Sequence, residues 1–229
     1  MTEIVAAPVA YPAGSAGGMG YLARPDDAGP HPGVVVIQEW WGLDGHIKDV
    51  AERFARAGFV ALAPDLYHGE FATEPDEARK LAMALNRAQA LTDLTGAVAY
   101  LQSLDAVAPK RVGCIGFCMG GSMALALAAA TPDVAAAAPF YAGFQPPPEE
   151  LAKIRAELFC AFGADDAGIP AERVAAFEET LRGQGHAATV KVYEGAPHSF
   201  FNDTRPSYRP VAAKDAWERS LALFQRVLV

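Results

Sequence analysis

Features that would sort this chain quickly into a class are scarce. It has three cysteines in 229 residues, Cys114, Cys118 and Cys160, an odd and sparse set that resembles no disulfide framework and favours a reducing compartment. No apolar run reaches the roughly 18 residues of a membrane helix, and the opening MTEIVAAPVAYPAG has neither the basic flank nor the apolar core of an export signal. The expectation is a soluble, unprocessed, cytoplasmic protein with no membrane partner. Basic residues are outnumbered, 19 against 27 acidic, for a formal net charge of −8. Such a balance argues against a phosphate-tracking surface, so no nucleic-acid partner is expected. There is no phosphate-loop lysine motif and no His-Glu-x-x-His pair. Cys114 and Cys118 lack the second pair that would complete a zinc site, so neither metal nor cofactor is expected. GMGYLA at residues 18–23 fits the loose dinucleotide pattern, but no strand precedes it and it reads as a turn.

What is present is a regular alternation. Residues 1–32 read as an edge hairpin and lead-in. GVVVIQ at 33–38 is a continuous β-branched run bounded by GPHPG, as expected for a strand buried on both faces. Asp44 is a plausible N-cap, after which Ile47, Val50, Ala51, Phe54 and Ala55 repeat at helical spacing until Gly58. Further strands are expected at 59–63, 111–115, 134–138, 157–162 and 188–193, and helices through 91–104, 170–182 and 211–227. In the last helix Trp217, Leu221, Phe224 and Leu228 share one face, which should pack on the sheet. Strands alternating with helices imply an α/β fold with a mostly parallel central sheet and helices on both faces. The length suits a single domain over 1–229, enough to bury roughly 70% of its unfolded surface. QPPPEE at 145–150 is too short to separate two domains.

Within this pattern GFCMGG, residues 116–121, falls where a strand becomes a helix. A residue in so sharp a turn is strained, and only tiny neighbours let the chain fold over itself. Gly116 and Gly120 are those neighbours, and they leave the thiol of Cys118 exposed at the C-terminal edge of the sheet, beside a helix N-terminus that favours a thiolate and an oxyanion. Cys114 and Cys160, mid-strand among apolar residues, read as small buried hydrophobes. A thiol nucleophile needs a base and an orienting acid. In folds with this elbow they follow in the order acid then histidine, each after a later strand. The candidate acids are Asp165 and Asp166, and the candidate histidines His186 and His198. His186 precedes a strand and falls at the wrong edge, whereas His198 follows it. His31 and His46 read as loop and surface residues, and His68 as a residue that borders the cleft.

Five segments in order, VVVIQEWWG, APDLY, GFCMGG, GADDAGIP and EGAPHSF, make the chain resemble the dienelactone hydrolase (carboxymethylenebutenolidase) family of α/β-hydrolases from about residue 34 onward. The resemblance implies a cofactor-independent hydrolase of small lactones or esters working through a thioester. It selects Asp166, four positions before Pro170, and so a triad of Cys118, Asp166 and His198. It makes Glu39 the group that takes the thiol proton when substrate binds, which keeps the resting thiol protected from oxidation. The backbone N–H groups of Trp40 and Met119 are the implied oxyanion hole. Family members acting on dienelactone hold its carboxylate with two arginines. Here the position four beyond His198 is Asn202, with Arg205 nearby, and the second arginine corresponds to Arg79 or Lys80. Weak carboxylate recognition follows, with tolerance of neutral or bulkier substrates. Trp40, Trp41, Tyr67, Phe200 and Phe201 lie in segments that should border the cleft. The expected partner is a small-molecule substrate, acted on by a monomer. The rival readings are a thiol redox sensor or binding module on the same scaffold, or a broad ester hydrolase that does not act on dienelactone; an intact triad tells against a binding module.

Overall fold

A computed structural model of the protein describes residues 2–15, 17–27 and 29–229. Its elements in chain order are β1 (Ile4–Tyr11), β2 (Gly18–Pro25), β3 (Gly33–Ile37), α1 (Gly45–Arg56), β4 (Val60–Pro64), α2 (Pro75–Ala84), α3 (Arg87–Ser103), β5 (Val112–Phe117), α4 (Met119–Ala130), β6 (Val134–Phe140), α5 (Pro148–Leu151), β7 (Glu157–Gly163), α6 (Ala171–Gly183), β8 (Ala188–Tyr193) and α7 (Pro210–Leu228). One eight-stranded sheet runs β1-β2-β4-β3-β5-β6-β7-β8. The first two strands pair antiparallel with each other and β2 antiparallel with β4, and every later pairing is parallel.

Burial follows the sequence pattern. The runs GVVVI, VALAP, VGCIGF and VAAAAPF of β3, β4, β5 and β6 are buried throughout, because helices cover both faces of the central strands. Asp44 caps α1 by accepting the Ile47 N–H at 3.1 Å. On the same face α7 brings Trp217 to 4.6 Å from the ring centre of Phe54, and Phe224 to 5.7 Å. Residues 18–23 are not a turn: GMGYLA is the body of β2, the inner arm of the edge hairpin, paired with both β1 and β4. It therefore binds no dinucleotide phosphate through a strand-to-helix loop.

His46 departs from expectation. It is buried in the first turn of α1, 3% exposed, between the rings of Phe117 and Phe201, with Nδ1 3.2 Å from Asp203. Arg53 also pairs with Asp203 and, together with His46, outweighs burial to hold that carboxyl below its ordinary range. The sequence shows His46 one position from an apolar stripe, and helix rotation alone decides that it turns inward.

Candidate active site

All parallel strands end at one edge of the sheet, and the loops beyond β3, β5, β6, β7 and the turn after β8 meet there. Cys118 follows β5 directly with φ 57° and ψ −115°, in the left-handed half of backbone space, a strain that non-glycine residues accept only when the surroundings enforce it. The enforcement is visible at its neighbours. A Cβ on Gly116 would stand 2.0 Å from the Gly120 carbonyl oxygen, and one on Gly120 would stand 2.4 Å from that of Gln38. Gly120→Ala should therefore cost about 3 kcal/mol, read as a fall in Tm of roughly 6–12 °C for a chain of this size. A Tm within about 2 °C of wild type would mean that the turn relaxes freely.

The elbow makes Cys118 the N-cap of α4, so the first N–H groups of that helix, beginning with Met119, open beside the thiol. Trp40 is the third residue of the loop after β3 and, with Cys118, Met119 and His198, lines one cavity. The Tyr67 hydroxyl donates to the Trp40 carbonyl at 3.2 Å and lies 3.6 Å from the Met119 sulfur. Burial and the nearby Cys118 push the Tyr67 phenol well up, so it stays a neutral donor that fixes the two loops relative to each other.

Asp166 and His198 come from the loops after β7 and β8. Those loops are interlocked: Asp165 N–H donates to Ala196 O at 3.0 Å, and a Cβ on Gly163 would stand 2.1 Å from the same oxygen. Asp166 Oδ2 lies 2.6 Å from His198 Nδ1, and Asp166 Oδ1 accepts the Gly168 N–H at 2.9 Å. Burial raises the Asp166 pKa, but the His198 and backbone hydrogen bonds outweigh it and hold the carboxyl below its ordinary range. For His198, burial opposes the charged ring, yet the hydrogen bond to Asp166 and the neighbouring Cys118 push the imidazole up to about 10. The shift favours the protonated ring, with Nδ1 held on Asp166.

Glu39 is buried, 1% exposed, two residues past the end of β3. Its Oε1 accepts from the Tyr141 hydroxyl at 3.1 Å and its Oε2 from Asn202 Nδ2 at 2.7 Å. Asn202 is held in turn, since its Oδ1 accepts from the Thr204 N–H at 3.0 Å and the Thr204 hydroxyl at 2.6 Å. Asn202 is thus a tether for Glu39 and is fully buried, not a donor presented to substrate. Tyr141, which the sequence reading missed, stands directly after β6 with φ 36° and its ring centre 5.0 Å from that of His198. Burial first, then Glu39 and Cys118, push its phenol far above the ordinary value. The signal available was its place: a polar residue just past the end of a central parallel strand.

Two cavities meet at Cys118 and His198. The larger, about 520 Å³, runs over α4; the smaller, about 320 Å³, is bounded by Trp41, Ser199, Arg205 and Ser207. Arg205 does reach this second cavity, its guanidinium carbon 3.7 Å from the Trp41 ring centre. Arg79 and Lys80 do not line either cavity; both are exposed on α2. The cation at the larger cavity is Arg87, at the start of α3. Phe200 and Phe201 are buried packing residues, Phe200 against Tyr193 and Tyr141, and neither lines a cavity at Cys118. His68 borders a separate small cavity with Glu70 and Gln89, 3.1 Å from Asp93, and not the one at Cys118. Burial raises the Cys114 and Cys160 thiols strongly, as inert core cysteines require. Among the described residues no group of three or more His, Cys, Asp or Glu is placed to hold a metal ion, and no helix is long and apolar enough to cross a membrane.

A mostly parallel sheet flanked by helices, with a strained residue at a strand-to-helix elbow, defines an α/β-hydrolase. The dienelactone hydrolase family model matches residues 19–228, and the chain belongs to that family. It is 40% identical over 226 residues to a Synechocystis sp. protein provisionally named carboxymethylenebutenolidase, covering 91% of this chain and 92% of that one. It is 34% identical to a Bradyrhizobium sp. protein provisionally named 2-oxo-3-(5-oxofuran-2-ylidene)propanoate lactonase, covering 89% and 87% of the two chains. The crystal structure of a provisionally named dienelactone hydrolase from Klebsiella pneumoniae superposes with a TM-score of 0.90 at 32% identity, covering 98% and 99% of the two chains. A dienelactone hydrolase-like promiscuous phosphotriesterase, P91, from metagenomic libraries superposes with a TM-score of 0.89 at 27% identity, covering 99% of each chain. The protein is an ester or lactone hydrolase.

Proposed function

We propose that the chain hydrolyses a small ester or lactone through a thioester on Cys118. The observation that carries this reading is the convergence, on one cavity, of a strained thiol at a helix N-terminus with a His198–Asp166 pair 2.6 Å apart. When substrate fills the site, the Cys118 thiol passes its proton to Glu39 and the sulfur attacks the acyl carbon. The N–H groups of Trp40 and Met119 stabilise the oxyanion. As the carbon–oxygen bond breaks, the leaving oxygen takes a proton from the His198 imidazolium. His198, now neutral, accepts a proton from water as the water oxygen bonds to the acyl carbon and sulfur departs. Glu39 returns its proton to the thiolate. The sum is one ester and one water converted to an acid and an alcohol. Tyr141 supports the Glu39 step, because its phenol neighbours both Glu39 and Cys118.

The reading is tested by intact mass after mixing the protein with p-nitrophenyl acetate. One acetyl group is expected, on the peptide that carries Cys118. An adduct on the peptide of Cys114 or Cys160, or none while turnover proceeds, would remove Cys118 from the mechanism.

A further inference from the structure

The larger cavity exceeds what a five-membered lactone ring occupies, and its walls have a definite chemistry. Its floor is one face of α4, where Met119, Ser122, Met123 and Ala126 recur at helical spacing. From Met119 to Ala126 that face extends about 10 Å at the α-helical rise. Among the described residues no carboxylate lines the cavity. Its arginine, Arg87, lies over the Phe144 ring with the guanidinium carbon 4.9 Å from the ring centre. Ser122 is occupied as well, its hydroxyl accepting the Phe144 N–H at 3.0 Å. Apart from Cys118 and His198 at its mouth, the rest of the lining is mostly apolar, with Ala82, Leu85, Leu91, Met123, Ala126 and Pro146.

The smaller cavity separates the two halves of a substrate. It shares Trp40, Cys118 and His198 with the larger one, and beyond Trp41 its remaining walls, Ser199, Arg205 and Ser207, come from the loop that follows His198. His198 must face the leaving oxygen, so the alcohol half belongs on the side built by its own loop. The acyl half then lies over α4.

We propose that the cavity over α4 is an acyl-chain pocket, so that this enzyme favours esters of medium-length alkyl or aryl-substituted acids, with Ala126 setting the depth of the pocket. The proposal rests on the thioester reading above for its orientation. Ala126 is half-buried and lines the cavity, so a larger side chain there projects into open space without displacing the core.

The test compares kcat/KM for p-nitrophenyl octanoate and p-nitrophenyl acetate. Wild type is expected to favour octanoate by about tenfold or more, since each buried methylene contributes favourably. Ala126→Phe should lower that ratio at least about tenfold, the loss of several buried methylenes, and Ala126→Val should lower it less. The valine variant keeps the test alive should the phenylalanine variant fold poorly. Binding of octanamide against butanamide, followed by calorimetry, reads the pocket without turnover: octanamide should bind more tightly, and Ala126→Phe should remove the difference. An octanoate-to-acetate ratio near one in wild type, a ratio unmoved by either substitution, or equal binding of the two amides would overturn the proposal. If neither ester is hydrolysed while octanamide still binds selectively, the thioester reading fails and the apolar pocket stands.

Discussion

Asp166→Asn is expected to lower kcat/KM by about 10⁴-fold under the proposed mechanism, the cost of an amide in place of the orienting carboxylate of a histidine-dependent hydrolase. Asp166 contributes twice. Its Oδ2 fixes the ring of His198 through the 2.6 Å contact at Nδ1. Burial works against the charged ring, and Asp166 is the first of the groups that nonetheless hold the imidazole up, at about 10. An asparagine keeps the shape and removes the charge. The His198 pKa should then fall toward the ordinary value of about 6.5, and the fraction of imidazolium available to protonate the leaving oxygen at neutral to mildly alkaline pH should fall with it. Histidine NMR titration reads the first effect and steady-state kinetics the second. Turnover close to that of wild type, or an unmoved His198 titration, would remove Asp166 as the orienting acid. Stability gives a further check on sign. A group whose folded pKa is raised contributes stability that is fully present below its unfolded value, about 6.5 for histidine, and is lost as pH rises through the folded value. The stability that wild type gains over Asp166→Asn from this pair should therefore decline between roughly pH 6.5 and about 10.

The parts of this site legible in the sequence are those dictated by backbone geometry. Gly116 and Gly120 have no alternative residue where carbonyl oxygens would stand 2.0 and 2.4 Å from any Cβ, so the elbow announces itself. The continuous β-branched run of β3 reads as a buried strand and His198 follows from its place after β8, whereas the place after β7 narrows the acid to Asp165 or Asp166 and the family resemblance selects Asp166. What the sequence did not disclose depends on where side chains turn within loops. Asn202 stands at the position where family resemblance implies an arginine facing substrate, yet it turns onto Glu39. Arg79 and Lys80 lie on the exposed surface of α2, while Arg87, past the end of that helix, faces the cavity. Phe200 sits two residues from His198 and points into the core, because the turn carrying Ser199 at φ 58° reverses the chain between them. Spacing along the chain carries no record of such reversals.

Glu39→Gln is expected to lower kcat/KM by about 10²-fold or more, the lower range for a lost proton acceptor, with the fold retained. Retention follows from the contacts. A glutamine oxygen can accept from Asn202 Nδ2, and its amide can donate to the Tyr141 hydroxyl, which accepts as readily as it donates. Each heavy atom of the trio then keeps a partner and only a buried donor hydrogen loses its acceptor, a cost of about 1–3 kcal/mol, so the protein should still fold. The loss should fall on one half of the reaction. In the proposed mechanism Glu39 takes the thiol proton during acylation, so formation of the acetyl-Cys118 adduct should slow by the full factor, while hydrolysis of adduct already formed, which there depends on His198 and water, should change little. Tyr141→Phe supplies the contrast: it frees one oxygen of Glu39 and leaves the carboxylate in place, so its effect should be smaller than that of Glu39→Gln. Rapid-quench mass spectrometry separates the two steps. Should Glu39→Gln acylate at the wild-type rate, Glu39 is a buried structural carboxylate held by Tyr141 and Asn202, and the thiol proton goes to His198 instead.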